Sequence, residues 1–403
     1  MKKIMILGAG NAQLPLIIES KRMGYFVIVC DQRDEMEGAK IADKFYKIDY
    51  TSEKDMIEIA TLEKIDGITS NSEPAMVIVA KISEKLKLIG NSSNSIEIIS
   101  SKEKFRKLEN KIKVFSPASH ACSRVEDALT VAKDMRYPII IKPAESCGTQ
   151  GTTKLTSFNN EAIRESFKKC SIFSRDKKVV LEEYVQMQSL LVVEFDVFIF
   201  NDDIIWDGCI STNRSPNAPM VPMTYIYPDV LSNIQKNIVK ETIRTIFNAD
   251  EIKFGEYNVE GFFTETGEFF VIEINPRQGG NYIPQMIQEH SGVNFDKLLV
   301  SLAVNDLAYY NTLNEYKRTN NFVVFHVVFS NKSGNLKEVF INPEIKRYIY
   351  WQENEILAGS HVNKCVNGFD AVAKFKLRFD TRENQLKYAL NIEKYIYPIV
   401  EEA

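Results

Sequence analysis

The chain has 403 residues, 44% of them hydrophobic and 11% aromatic, with 50 Lys and Arg against 54 Asp and Glu for a formal charge of −4. That is enough apolar material for roughly two to four cored domains, and the near-neutral, slightly acidic balance excludes a protein that holds nucleic acid or an anionic membrane by bulk charge. Its apolar runs are too short and too interrupted by charge for a membrane span, and the six scattered cysteines form no C-x-x-C pair, so a reducing cytoplasm is the expected compartment.

The opening apolar run stops at Gly8, too early for a signal peptide, and reads as a first buried strand, Ile4–Leu7. Leu14–Met23, Phe26–Cys30, Met56–Glu63, Gly67–Thr69, Ala75–Leu86 and Leu88–Ile89 then alternate helical and strand patterns, which predicts βαβ units on a parallel sheet. Between the first strand and helix lies Gly8-Ala9-Gly10-Asn11-Ala12-Gln13. Gln13 stands where a dinucleotide fingerprint needs its third glycine, so a plain tight turn is favoured over a pyrophosphate site. Asp31, after the second strand, is either a ribose contact or a turn residue.

A helix is predicted over Ser101–Glu109 with Ser100 or Ser101 as its cap, then a helix over Val125–Met135 and a buried strand, Tyr137–Pro143. Lys142 ends that strand before the small-residue loop Ala144–Thr152, whose successive N–H groups suit an anion. No Gly-Lys-Ser/Thr follows, which rules out a Walker A loop. A helix near Glu161–Cys170 and strands at Val179–Glu182 and Leu190–Phe200 come next. Asn213–Pro228, with four prolines, is expected to be a long ordered loop. A helix near Asn233–Phe247, two strands about Thr266-Gly267, a helix near Phe295–Asn305 and a β-rich tail from about Phe322 complete the chain.

The most informative stretch is Tyr257–Arg277. A two-residue turn at Thr266-Gly267 would place Glu260 opposite Glu273, with Asn275 on the same face two residues on. Opposed like charges destabilise a sheet unless something neutralises them, and two carboxylates with an amide are an all-oxygen set suited to Mg²⁺ and a phosphate. Arg277 lies beside them, where its planar fork suits a phosphoryl group or carboxylate. The four histidines are dispersed, which argues against zinc, and no Ser-His-Asp or Cys-His set can be assembled.

Taken in order, these signals resemble the ATP-grasp superfamily, and within it the carbamoyl-phosphate-synthase-like ligases. The similarity runs from Ile4 to about Asn305 and rests on five segments. They are the imperfect Gly8–Gln13 turn, Ser101-Lys102-Glu103-Lys104-Phe105, Lys142-Pro143 through Gly151, Leu181-Glu182-Glu183-Tyr184-Val185, and Glu260 with Glu273-Ile274-Asn275-Pro276-Arg277. The resemblance implies an α/β chain in four parts: a Rossmann-like domain at 1–95, a linker helix and glycine-loop lobe at 96–185, a metal-bearing lobe at 186–310 and a small C-terminal extension at 311–403.

It also implies roles. Lys102 and Lys142 would contact ATP phosphates under the loop bearing Ser146, Gly148, Thr149 and Gly151, while Glu182 and Val185 would meet adenine through their backbone. Glu194, in a Glu-Phe-Asp-Val segment, would meet ribose. Glu260, Glu273 and Asn275 would hold Mg²⁺ or Mn²⁺, and Arg277 with Asn275 would serve the reacting phosphoryl or tetrahedral species. The implied activity is ADP-forming ligation of a small carboxylate to an amine through an acylphosphate, by a homodimer without nucleic-acid or membrane partners. Arg214, in the proline-rich segment, is a candidate contact for a substrate carboxylate. Two alternatives stand beside this reading: an ATP-binding sensor or assembly protein without catalysis, and an NAD-dependent oxidoreductase using the first domain.

Overall fold

The computed structural model describes residues 1–144, 151–174, 176–215, 218–313, 319 and 321–401, with the backbone alone at 207, 215 and 218–220. In chain order the first elements are β1 (Lys3–Leu7), α1 (Leu14–Arg22), β2 (Phe26–Asp31), α2 (Glu37–Ile41), β3 (Lys44–Lys47), α3 (Glu53–Glu63), β4 (Gly67–Thr69) and α4 (Glu73–Leu86). The strands form a parallel sheet in the order β3-β2-β1-β4. Alternation along β1 sends Met5 and Leu7 into one core and Ile4 and Ile6 into another, so both faces of this sheet are covered, as parallel sheets require. The expected strand at Leu88–Ile89 does not form. The fourth strand is β3, whose sequence Lys-Phe-Tyr-Lys is short and polar because it lies at the sheet edge.

Two helices follow, α5 (Ser93–Ser100) and α6 (Lys102–Ile112), the latter capped by Ser101, whose hydroxyl accepts from Lys104 N at 3.5 Å. Then come β5 (Ser119–Cys122), α7 (Val125–Asp134), β6 (Ile139–Pro143), β7 (Thr153–Leu155), α8 (Asn160–Phe173) and β8 (Val179–Glu183). Their strands make an antiparallel sheet, β5-β8-β6-β7.

The rest is built on one eight-stranded antiparallel sheet, β13-β12-β9-β10-β11-β14-β18-β16. It comprises β9 (Leu191–Phe200), β10 (Asp203–Ser215), β11 (Ala218–Tyr227), β12 (Phe254–Phe263), β13 (Phe269–Asn275), β14 (Phe322–Phe329), β16 (Ile349–Asn354) and β18 (Ala371–Phe379). Packed with it are α9 (Asn233–Ala249), α10 (Ile283–Ser291), α11 (Phe295–Ala303) and α12 (Ala308–Thr312). The last part adds β15 (Gly334–Ile341), β17 (His361–Val362) and β19 (Ile396–Glu401) as a three-stranded sheet, with α13 (Pro343–Lys346) and α14 (Arg382–Ala389). Side chains of α10 and α11, including Ile287, Leu298 and Leu302, share a core with Ile4, Ile6, Val27 and Val29 and so fasten the parallel sheet to the large one.

The expected loop at Asn213–Pro228 is instead the end of β10 and the whole of β11. Pro222 sits opposite Arg214 at a register shift, where a missing N–H costs no ladder bond. The prolines hid a strand because bulges suspend the alternation that normally reveals one.

Candidate functional site

Glu194 on β9, Glu260 on β12 and Glu273 on β13 stand directly opposite one another across three neighbouring strands. Glu260 does face Glu273, but not through a two-residue turn. The hairpin closes on three residues, Glu265–Gly267, with Thr264 N donating to Glu268 O at 2.9 Å and Gly267 at φ +92°. That turn alone would bring Glu260 opposite Ile272. A bulge between Glu260 and Gly261 restores the pairing, and Arg106 fixes it by donating to Val271 O and Ile272 O at 2.9 Å each.

Cations flank the row. Arg214 is ion-paired with Glu260, and Lys102 Nζ lies 3.4 Å from Glu273 Oε2. Asn275 Nδ2 donates to Glu273 Oε1 at 3.2 Å, and Thr212 Oγ1 donates to Glu194 Oε2 at 3.4 Å. Burial, followed by the charge of Glu260, holds the Glu194 carboxyl well above the usual carboxylate range. Burial also raises Glu260, against the pull of Arg214. Glu273 stays below the usual range because Lys102, Asn275 and Arg277 outweigh its burial. The carboxylate that Arg214 meets is thus the protein's own Glu260.

A second cluster lies alongside. Arg106, four residues after Lys102 and so on the same face of α6, pairs with Glu109 at 2.7 Å and with Glu182 of β8. Lys142 of β6 is ion-paired with Glu182 as well. All four side chains are buried. Arg106 and Lys142 overcome the burial of Glu182 and hold its carboxyl down at about 2. Lys142 therefore points to Glu182, where the sequence had suggested the glycine loop. Ser146, Gly148 and Thr149 lie outside the described residues. Gly151 is described: its φ is +76°, its carbonyl accepts from Cys170 Sγ at 2.8 Å, and a Cβ there would come within 3.0 Å of the Phe173 ring. Val185, just past β8, packs with Phe262 and Phe270.

Arg277 follows the row, but its guanidinium turns toward the parallel-sheet domain. It donates to Gln278 O at 2.8 Å and lies 3.7 Å from Glu73 at the start of α4. Sequence reasoning missed Arg106 and Glu109, which look like the polar face of an ordinary amphipathic helix. It also missed Asp196, which accepts from Asn258 Nδ2 at 2.9 Å and from Gly279 N at 2.9 and 3.0 Å. The spacing of Arg106 from Lys102 was the one available signal.

The Gly8–Gln13 turn is filled by the chain itself. Gly8 is at φ +97°, and a Cβ there would come within 3.0 Å of the Gln13 side chain, while the Arg33 guanidinium lies against Gly10. Asp31 accepts from Ala9 N at 2.8 Å and pairs with Arg33 at 2.9 Å, so it braces the turn. Among the described residues no three His, Cys, Asp or Glu side chains converge to hold a metal alone, and no helix is long and apolar enough to cross a membrane.

The antiparallel sheet thus bears a carboxylate row, with Lys102 of α6 beside it and the buried Lys142 of the smaller sheet in the neighbouring cluster. Residues 101–282 match the family described as carbamoyl-phosphate synthase L chain, ATP binding domain. The carbamoyl phosphate synthase large chain of Clostridium botulinum (strain Kyoto / Type A2) is 24% identical over 367 residues, which are 86% of this chain and 33% of that protein. The chain thus spans about a third of the length of the curated relatives it matches. An L-amino acid ligase from Bacillus licheniformis superposes with a TM-score of 0.78 at 17% identity, over 100% of this chain and 99% of that one. The biotin carboxylase domain of Hydrogenobacter thermophilus 2-oxoglutarate carboxylase, solved as a dimer with Mg-ADP, superposes with 0.69 at 18% identity over 99% and 91%. Residues 101–282 are thus similar to the ATP-binding domain of the carbamoyl-phosphate synthase L chain, and the whole chain shares the fold of these two solved structures.

Proposed function

We propose that this protein is an ATP- and Mg²⁺-dependent, ADP-forming ligase that joins a small carboxylate to an amine or similar nucleophile. The observation that carries the reading is the Glu194–Glu260–Glu273 row, three acids with two cations beside them. The donor set fits Mg²⁺: Glu260, Glu273 and Asn275 offer oxygen ligands, and phosphate oxygens would fill the cation's remaining positions. The metal would neutralise charge on the transferring phosphoryl group.

In this reading Lys102 and Lys142 bind ATP phosphates, the 146–151 loop covers them, the backbone at Glu182 and Val185 meets adenine, and Glu194 meets ribose. The substrate carboxylate oxygen attacks the γ-phosphorus as its bond to the ADP oxygen breaks. The amine nitrogen then attacks the acyl carbon, phosphate leaves with the C–O electron pair, and the amine loses a proton. Arg277 and Asn275 stabilise the negative charge that develops in both steps. Residues 1–95 form the Rossmann-like domain, 96–185 and 186–310 the gripping lobes and 311–403 the extension, in a cytoplasmic homodimer. The filled Gly8–Gln13 turn argues against the oxidoreductase alternative.

The test is Mg²⁺-dependent ADP release from the purified chain with a panel of amino acids, dipeptides and sugar acids, with hydroxylamine as trap. Hydroxamate and ADP formed with one acid, and lost in Glu273→Gln, support the ligase. ATP binding without ADP release under any condition leaves the non-catalytic sensor.

A further inference from the structure

The turn Gln278–Pro284, which follows Arg277 and leads into α10, carries two consecutive non-glycine residues in the left-handed region: Asn281 at φ +50° and Tyr282 at φ +61°. A tyrosine is rarely held there without surroundings that impose it. One end of the turn is fixed by Gly279, whose N–H donates to both oxygens of Asp196. A Cβ at Gly279 would come within 2.7 Å of Asn258 Nδ2, so only glycine approaches that closely.

The other end is fixed from the C-terminal part of the chain. Phe325, Lys376 and Trp351 are cross-strand neighbours on β14, β18 and β16 and share one face of the large sheet. The Tyr282 ring rests on all three. Its centroid is 5.1 Å from that of Phe325, 5.3 Å from that of Trp351 and 3.7 Å from Lys376 Nζ, which also lies 4.9 Å from the Trp351 ring. Among the described residues Lys376 shows no hydrogen bond or ion pair; its half-buried charge lies over these two ring faces, with Glu289 and Glu353 the carboxylates that act on it. From the turn thus held, Asn281 Nδ2 donates to the buried Tyr225 hydroxyl at 2.5 Å.

We infer that Lys376, with Trp351, is a positioning residue: it clamps the Tyr282 ring, holds the left-handed Asn281–Tyr282 turn and so sets the segment that follows Arg277, which on the ligase reading borders the acid or the amine. On that reading the C-terminal region shapes the site from four strands away without touching ATP. Only the kinetic arm of the test rests on the ligase reading.

The test compares Lys376→Met with Lys376→Arg, which keeps a cation over the rings. In amide hydrogen exchange on the full chain, Lys376→Met is expected to speed exchange at least tenfold in peptides spanning 278–286, with β14 and β18 unchanged and Lys376→Arg close to wild type. In the ADP-release assay, Lys376→Met is expected to raise the KM for the acid or amine at least fivefold while the KM for ATP stays constant. Unchanged exchange over 278–286 overturns the inference, as does acceleration that spreads through β14 and β18, a failure of arginine to rescue, or an equal rise in both KM values. If the wild-type chain releases no ADP, the ligase reading fails and the exchange arm still decides the clamp.

Discussion

Two clusters of buried charge lie side by side and are built from the same residue types, yet they are balanced differently. Around Arg106, two cations (Arg106 and Lys142) meet two carboxylates (Glu109 and Glu182). Across the large sheet, three carboxylates (Glu194, Glu260 and Glu273) share Arg214 and Lys102. Removing charges from water costs several kcal/mol each, and only close pairing offsets it. The first cluster closes on itself and joins α6, β6, β8 and the β13 bulge into one body. The second carries three acids for two cations, and burial with the charge of Glu260 holds the third, Glu194, toward its protonated form. A third set, Asp196, Glu256 and Asp296, shows no ion pair among the described residues: Asp196 accepts from Gly279 N and Asn258, while burial and neighbouring acids push the Asp296 carboxyl up to about 7 and raise Glu256 as well.

Breaking the balanced cluster should have the largest effect. Arg106→Met strands Glu109, leaves Glu182 with Lys142 alone and should destabilise the fold by about 3–5 kcal/mol, read as a lower urea midpoint. The row should respond differently. Glu273→Gln should lower ADP formation on the order of 10²–10³-fold, with a fall in thermal midpoint smaller than that of Arg106→Met, since Lys102 loses a partly exposed partner. Glu194→Gln should leave that midpoint equal or higher, because an amide replaces a buried acid that already favours its neutral form. If Glu194→Gln instead destabilises like Arg106→Met, the contrast between the clusters is wrong.

The third set predicts a pH dependence. Asp296 has a folded pKa near 7 against an ordinary 3.8, so its contribution to stability is fully present below about 3.8 and lost as pH rises through 7. Asp296→Asn should therefore gain stability relative to wild type between those values, with a slope of at most about 1.4 kcal/mol per pH unit, followed by chemical unfolding across that range. The smallest effect is expected at the filled turn. Gln13→Ala should cost about 1 kcal/mol and confer no affinity for NAD(H) in calorimetry.

Much of the chain was legible before any coordinates. The parallel βαβ start, α6 with its serine cap, the strand ending at Lys142, and the Glu260–Glu273 opposition all follow from local signals. Burial on one face imposes periods of 2 and 3.6, and caps and glycines punctuate them. Where local signals were suspended, the reading failed. Bulges with proline concealed the end of β10 and the whole of β11, and a polar edge strand concealed β3. The turn at Thr266-Gly267 gave the right opposition by the wrong register, because a bulge compensated for the third loop residue.

By itself the sequence determined the strands and helices whose local pattern is unbroken and which residues carry oxygen donors and cations, since those depend on neighbours a few positions away. Only the tertiary structure decided which charges cancel. Arg106 reaches Glu182 and Val271, Arg214 reaches Glu260, and Glu194 takes its place in the row through pairings between strands far apart in the chain. Whether a buried carboxylate braces the fold or awaits a ligand is set by the charge packed against it, and local periodicity does not encode that charge.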